Sequence, residues 1–173
     1  MNHQISQNPG QQGSKHSYAY LWIYLTTFIF FLTLDQLVKA WVRANLNLHQ
    51  SPGYPWPGVF EITLTYNKGI AFGMYQGLGV LFTPIALLMT FFSFFYSYKR
   101  PSAPRVLHFA LGLLSAGAMG NLIDRLWFGK VTDIFWFRLI NFPVFNVADA
   151  CVTIAAILLG YYWIFDGRSS DSN

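Results

Sequence analysis

Charge is what this sequence has least of. Only 10% of its 173 residues are Asp, Glu, Lys or Arg, where a soluble domain carries about 25%. Cysteine is nearly missing too. A lone Cys151 excludes an internal disulfide and a thiolate metal cluster, and its apolar surroundings make it a core thiol. The four histidines, His3, His16, His49 and His108, are dispersed, and no His-Glu-x-x-His is present, which argues against a zinc peptidase. Neither Gly-x-Ser-x-Gly nor a Gly-rich loop ending in Lys-Ser or Lys-Thr occurs, so serine hydrolysis and nucleotide hydrolysis lose their usual signatures. No metal and no cofactor is expected.

What takes the place of charge is long apolar runs. Tyr18–Leu34, Leu78–Tyr98, Val106–Ile123 and Val147–Phe165 are each close to the length needed to cross a bilayer, about 20 residues. They lack the alternating polar and apolar faces of a soluble helix. With their flanks they predict spans at about 18–38, 78–98, 106–126 and 147–165. The polar segment 1–17 is expected to be a disordered cytoplasmic tail and 166–173 a second cytoplasmic tail. The first run ends in Thr33-Leu34-Asp35-Gln36 rather than in small residues, so it reads as a retained anchor and not a cleaved signal peptide. No cysteine near the N-terminus invites lipidation.

The densest basic cluster, Lys99, Arg100 and Arg105, lies between the second and third runs. The positive-inside rule places that loop, and with it both termini, in the cytoplasm. Lys39, Arg43, Lys68, Arg125, Lys130 and Arg138 fall on the other side, spread over two longer segments. The net charge of +4 is therefore scattered near span ends, as headgroup anchors are, and does not indicate nucleic acid. Parity also gathers five of the seven acids, Asp35, Glu61, Asp124, Asp133 and Asp149, on one side whichever way the chain is oriented. On that side Val59–Tyr66 alternates with a period of two, and Lys130–Arg138 is β-branched and aromatic. Both read as strands of a small sheet. Asn67-Lys68-Gly69 reads as a turn and Ser51–Gly58 as a Pro-rich loop.

Charged residues at or within spans are functional candidates by default. Asp149 stands at the start of the fourth run, three residues after Asn146 and so on the same helical face. Taken alone it caps the helix and complements its dipole. Asp133 stands in an apolar setting, Val131-Thr132-Asp133-Ile134-Phe135-Trp136, where the plain alternative is a surface strand residue paired with Lys130 or Arg138. Together they supply the parts of an aspartic dyad, in which two carboxylates share one proton. The ionised partner would activate water and the protonated partner would donate to the substrate carbonyl. Gly112, Ala116 and Gly120 form a small-residue stripe for close helix approach, and Asn121 and Arg125 share a face beside it. Asp124 reads best as a packing and ion-pair residue, and Asp35 with Lys39 as a helical ion pair.

The blocks Asp35-Gln36-Leu37-Val38-Lys39, Asn67-Lys68-Gly69-Ile70-Ala71-Phe72-Gly73, Gly117 to Arg125, Val131-Thr132-Asp133 and Phe145-Asn146-Val147-Ala148-Asp149 resemble those of the bacterial lipoprotein signal peptidases, or type II signal peptidases. They come in that family's order and span about Leu32 to Gly160. The resemblance implies an all-α membrane protein with four transmembrane helices and a small extracytoplasmic β-sheet at the membrane surface. It implies an aspartic endopeptidase of the bacterial cytoplasmic membrane that removes signal peptides just before a diacylglyceryl-modified cysteine. Asp133 and Asp149 would be the dyad. Asn67, Asn121, Arg125 and Asn146 would line the site or hold substrate, and Asp35, Lys39 and Asp124 would support it. Its partners would be prolipoproteins and membrane lipids, with the enzyme acting as a monomer. Ile134 stands where the family usually has Phe, and Val152 where it usually has Ile, exchanges that bear on pocket shape. The competing reading is a non-enzymatic membrane assembly or transport protein whose acids serve only as ion-pair partners.

Overall fold

The structure, a computed structural model, describes residues 13–69 and 83–165, with side chains in the first segment from residue 20. Four helices carry it: α1 (Gly13–Asn45), α2 (Thr83–Lys99), α3 (Arg105–Phe128) and α4 (Val147–Phe165). Tyr20 on α1 stacks on His108 near the start of α3, at 5.3 Å between ring centres. At the far end Lys39 reaches Asp124 at 3.6 Å, so α1 and α3 run in the same direction. Ser97, late in α2, bonds His108 at 2.8 Å, which turns α2 antiparallel to α3. The fourth helix starts beside Asp35 and ends with Tyr162 packed on Tyr24 and Leu107, so it too opposes α3.

The central helix is α3. Its glycines let neighbours come close. A Cβ on Gly112 would lie 2.8 Å from the Tyr24 carbonyl oxygen on α1, and one on Gly120 would lie 2.5 Å from the Asp35 carboxylate. At Gly117 a Cβ would meet the Ala148 carbonyl of α4. The small-residue stripe thus seats α1, and Gly117 beside it seats α4. Gly129, at φ 68, ends α3 in a left-handed cap whose N–H returns to the Arg125 carbonyl.

Three helical segments, Tyr20–Asn45, Arg105–Phe128 and Val147–Phe165, are long and apolar enough to cross a membrane. As described, α2 has 17 residues, and positions 78–82 of the expected second span lie outside the described residues. It buries Ser93 and Ser97 while exposing Phe91, Phe92 and Phe95, the reverse of a helix in water.

A three-stranded antiparallel sheet, β1 (Pro55–Trp56), β2 (Phe60–Asn67) and β3 (Val131–Trp136), joins the C-terminal ends of α1 and α3. Val42, Leu64 and Ile134 form the core between sheet and bundle.

Several expectations need correction. The Pro-rich segment is not all loop, since Pro55 and Trp56 pair with Glu61 and Phe60. The strand expected over 130–138 stops at Trp136, and Arg138–Ile140 forms a short 3-10 turn. The first helix runs to Asn45 rather than to residue 38, because Asp35, Lys39 and Arg43 recur every four residues on a face that α3 covers. Residues 13–17, assigned to a disordered tail, belong to that helix. The remainder of that tail, 1–12, and the C-terminal tail 166–173 lie outside the described residues.

Candidate active site

The two acids that the sequence singles out arrive from different elements. Asp133 comes from β3, where it pairs with Thr65 of β2, and the pleat brings Asn67 onto the same face. Thr132 and Ile134 point the other way, Thr132 to Arg43 at 2.9 Å and Ile134 into the core. Asp149 comes from the first turn of α4. What joins the elements is Phe145, whose carbonyl accepts the N–H groups of Ile134 (2.9 Å) and Phe135 (2.8 Å). This stitch lays the start of α4 against β3.

The helix start is closed by a reciprocal pair. Asn146 Oδ1 accepts the Asp149 N–H at 2.9 Å, and Asp149 Oδ2 accepts the Asn146 N–H at 3.1 Å. That is a capping box, with Asn and Asp in the two roles. Capping and a place in the site are therefore not alternatives for Asp149. Its other oxygen, Oδ1, accepts an N–H of the Asn121 amide at 2.8 Å. The Asn146 amide nitrogen donates to Asp133 Oδ1 (2.8 Å) and to Asn121 Oδ1 (3.1 Å). Two carboxylates and two amides thus form one connected set.

Asp133 is only 4% exposed. The cations suggested as its partners are engaged elsewhere: Lys130 lies over the Tyr66 ring and Arg138 bonds Glu61 at 3.0 Å. Burial, and then the neighbouring Asp149 charge, raise the Asp133 carboxyl from 3.8 to about 7. The Asn146 hydrogen bond, the Lys39 charge and the Asn67 amide oppose that rise. Glu61 is the opposite case. The Ser51 hydroxyl first, then the Gly58 N–H, hold it down to about 2, and it ties the β1–β2 turn to Arg138.

Beneath Asp133 and Asn121 lies a layer of buried ions. Lys39 Nζ sits 2.9 Å from Asp35 and 3.1 Å from Asn121 Oδ1. Asp35 also accepts the Ala148 N–H of α4 at 2.9 Å. Asp124 accepts from Arg43 (3.3 Å) and from the Thr132 N–H (2.8 Å). Sequence reading placed Asp35, Lys39 and Asp124 in support and missed Arg43, although the four-residue spacing continues to it. Arg125 bonds the Gly69 carbonyl at 3.3 Å and lies within electrostatic reach of Asp149, Asp133 and Asp124.

A cleft of about 630 Å³ opens over Asp133 and Asp149. Its polar end holds Asn67, Asn121, Arg125, Asp133 and Asp149. Its apolar walls include Ile85 and Met89 of α2 and Val152 and Ile154 of α4. Among the described residues α2 and α4 each pack on α3 and not on one another, so the cleft runs between them. Phe137 and Phe142 wall the sheet side. Of these walls only Val152 was marked beforehand, through the family resemblance, because an apolar residue in a span carries no sign of which cavity it borders.

Residues 27–165 match the family described as signal peptidase (SPase) II. The chain belongs to the signal peptidase II family. It is 40% identical over 141 residues to the lipoprotein signal peptidase of Gloeobacter violaceus, covering 80% of each chain. To that of Clostridioides difficile it is 40% identical over 146 residues, covering 83% of this chain and 95% of the relative. A solved structure titled as a bacterial membrane enzyme superposes with a TM-score of 0.74 at 27% identity, over 87% of this chain and 91% of that one. The chain is thus a peptidase and, with its three spanning helices, a multi-pass membrane protein.

Proposed function

We propose that this peptidase is an aspartic endopeptidase that cuts prolipoproteins just before a diacylglyceryl cysteine, with Asp133 and Asp149 as its dyad. The observation that carries the reading is the asymmetry of the two carboxylates. Asp149 accepts N–H donors on both oxygens and is held in the first turn of a helix, so its carboxyl is fixed as a hydrogen-bond acceptor. Asp133 is buried and raised to about 7, so it holds a proton through most of the acid range.

The asymmetry assigns the roles. Asp149 takes a proton from water as the oxygen attacks the scissile carbonyl carbon, and Asp133 gives its proton to the carbonyl oxygen. In the collapse the C–N bond breaks, Asp149 passes its proton to the leaving nitrogen, and the gem-diol returns one to Asp133. Arg125, with Asn67, Asn121 and Asn146, holds the substrate backbone. Asp133 is held by the Asn146 and Asn67 amides beside a second carboxylate, an arrangement that a plain ion pair with a cation does not need.

The full reading has four spans, with α2 as the remaining crossing. No charged side chain lies between Gly69 and Tyr98. The exposed indoles of Trp22 and Trp41 on α1 lie about 28 Å apart along a helix, close to the ~30 Å hydrocarbon core. Asp35, which accepts the Ala148 N–H beside Asp149, lies about 9 Å inside Trp41. This depth suits a lipid-modified substrate entering sideways between α2 and α4. With Lys99, Arg100 and Arg105 cytoplasmic, both termini are inside and the site opens toward the outer face of the bacterial cytoplasmic membrane, with the sheet at its surface.

Purified protein in lipid should cleave a diacylglyceryl prolipoprotein at the bond before the cysteine. It should leave a Cys→Ser substrate, which cannot be lipidated, intact. Equal cleavage of both would remove the lipid from the reading, and cleavage of neither would remove the activity.

A further inference from the structure

The buried Lys39 is more than a tie between helices. An ammonium carries only donors, so the Asn121 atom 3.1 Å from Lys39 Nζ must be its oxygen. The Asn121 nitrogen is then left facing Asp149 Oδ1 at 2.8 Å. The same oxygen also accepts from Asn146, whose own orientation is set by the Asp149 backbone N–H. An amide whose oxygen takes a charge-assisted hydrogen bond becomes a stronger donor at its nitrogen. Lys39 is held for this task by Asp35 at 2.9 Å and Asp124 at 3.6 Å, and it is fully buried.

We infer that Lys39 is a positioning residue of the peptidase, acting through the Asn121 amide to hold the Asp149 carboxylate where it can take a proton from water. The inference rests on the dyad reading above. The Asp133 carboxyl of β3, the Arg125 guanidinium of α3 and, on its own helix, the Cys151 thiol lie within electrostatic reach of Asp149. Among the described residues α2 brings Ile85, Ala86 and Met89 to the cleft. Lys39 reaches Asp149 through the Asn121 amide, as Asp133 does through that of Asn146.

The test is a double-mutant cycle read separately on kcat and KM, per folded molecule, for a lipidated prolipoprotein. Asn121→Leu should lower kcat about tenfold. Lys39→Met should lower kcat about threefold with KM unchanged, since Asn146 still holds the amide. The double variant should match Asn121→Leu alone, because the effect of Lys39 passes through that amide. Losses that multiply in the double variant would mean that Lys39 acts independently of Asn121. An unchanged kcat in Lys39→Met, with only less folded protein, would mean that it is a structural tie. Either result overturns the inference. If Lys39→Met does not accumulate, Lys39→Gln replaces it in the cycle with the same ordering expected. Near-normal kcat in Asp149→Asn would instead break the dyad reading itself.

Discussion

The two ends of the helical bundle are built from different chemistry. At the end away from the sheet, Tyr24, Leu107, Leu111 and Tyr162 pack together, and the buried polar contacts are neutral: Tyr24 with Ser115 at 2.8 Å and Ser97 with His108 at 2.8 Å. At the sheet end the same helices bury Asp35, Lys39 and Asp124, each at most 1% exposed, and set Asp133 just above them. A neutral buried hydrogen bond contributes about 1 kcal/mol net. Buried ions repay their desolvation only when geometry and further hydrogen bonds are good. Packing alone would hold four helices more cheaply, as the other end does. The difference teaches that the ionic layer is there to hold β3, Asn121 and the start of α4 in one arrangement.

The comparison can be broken by weakening each end in turn. Asp124→Asn removes an anion shared by Lys39, Arg43 and the Thr132 N–H. Breaking one partner of such a buried set costs about 3–5 kcal/mol. Denaturation in detergent should show that loss, and activity per folded molecule should fall less than the amount of folded protein. At the other end Tyr24→Phe deletes only the bond to Ser115 and should cost about 1 kcal/mol. It should leave turnover per folded molecule unchanged. Equal costs at the two ends would remove the distinction.

How far the sequence carried the account follows the same division. Three of the four expected spans were legible because hydropathy is local, and α4 runs over the expected residues, Val147–Phe165. The second strand was legible from its alternation, displaced by one residue at each end. The reciprocal pair of Asn146 and Asp149 was visible as a three-residue spacing. The extension of α1 was not read, because three charges after an apolar run look like the end of a span. They are instead a face matched to α3 and β3, a match that exists only in three dimensions. Likewise Asp133 and Asp149 are joined by the bonds of Phe145 to β3, and backbone pairing of that kind leaves no mark on residue type. Of the apolar walls of the cleft only Val152 was marked beforehand, as a position bearing on pocket shape.

The dyad itself is tested most directly by measuring activity and stability on the same purified, quantified variants. A carboxyl raised from 3.8 to about 7 in the fold binds its proton more tightly folded than unfolded. Its contribution is therefore full below about pH 4 and is lost as pH rises through about 7. Asp133→Asn removes that loss, so this variant should melt no lower than wild type at pH 8 and show a flatter pH dependence of stability. It should nevertheless cleave no lipidated prolipoprotein. Asp149→Asn should also be inactive, at some cost in helix capping. Folded, inserted and inactive variants at both positions are the predicted result. Near-normal turnover in either one, in protein shown to be folded, would contradict the aspartic mechanism for this chain.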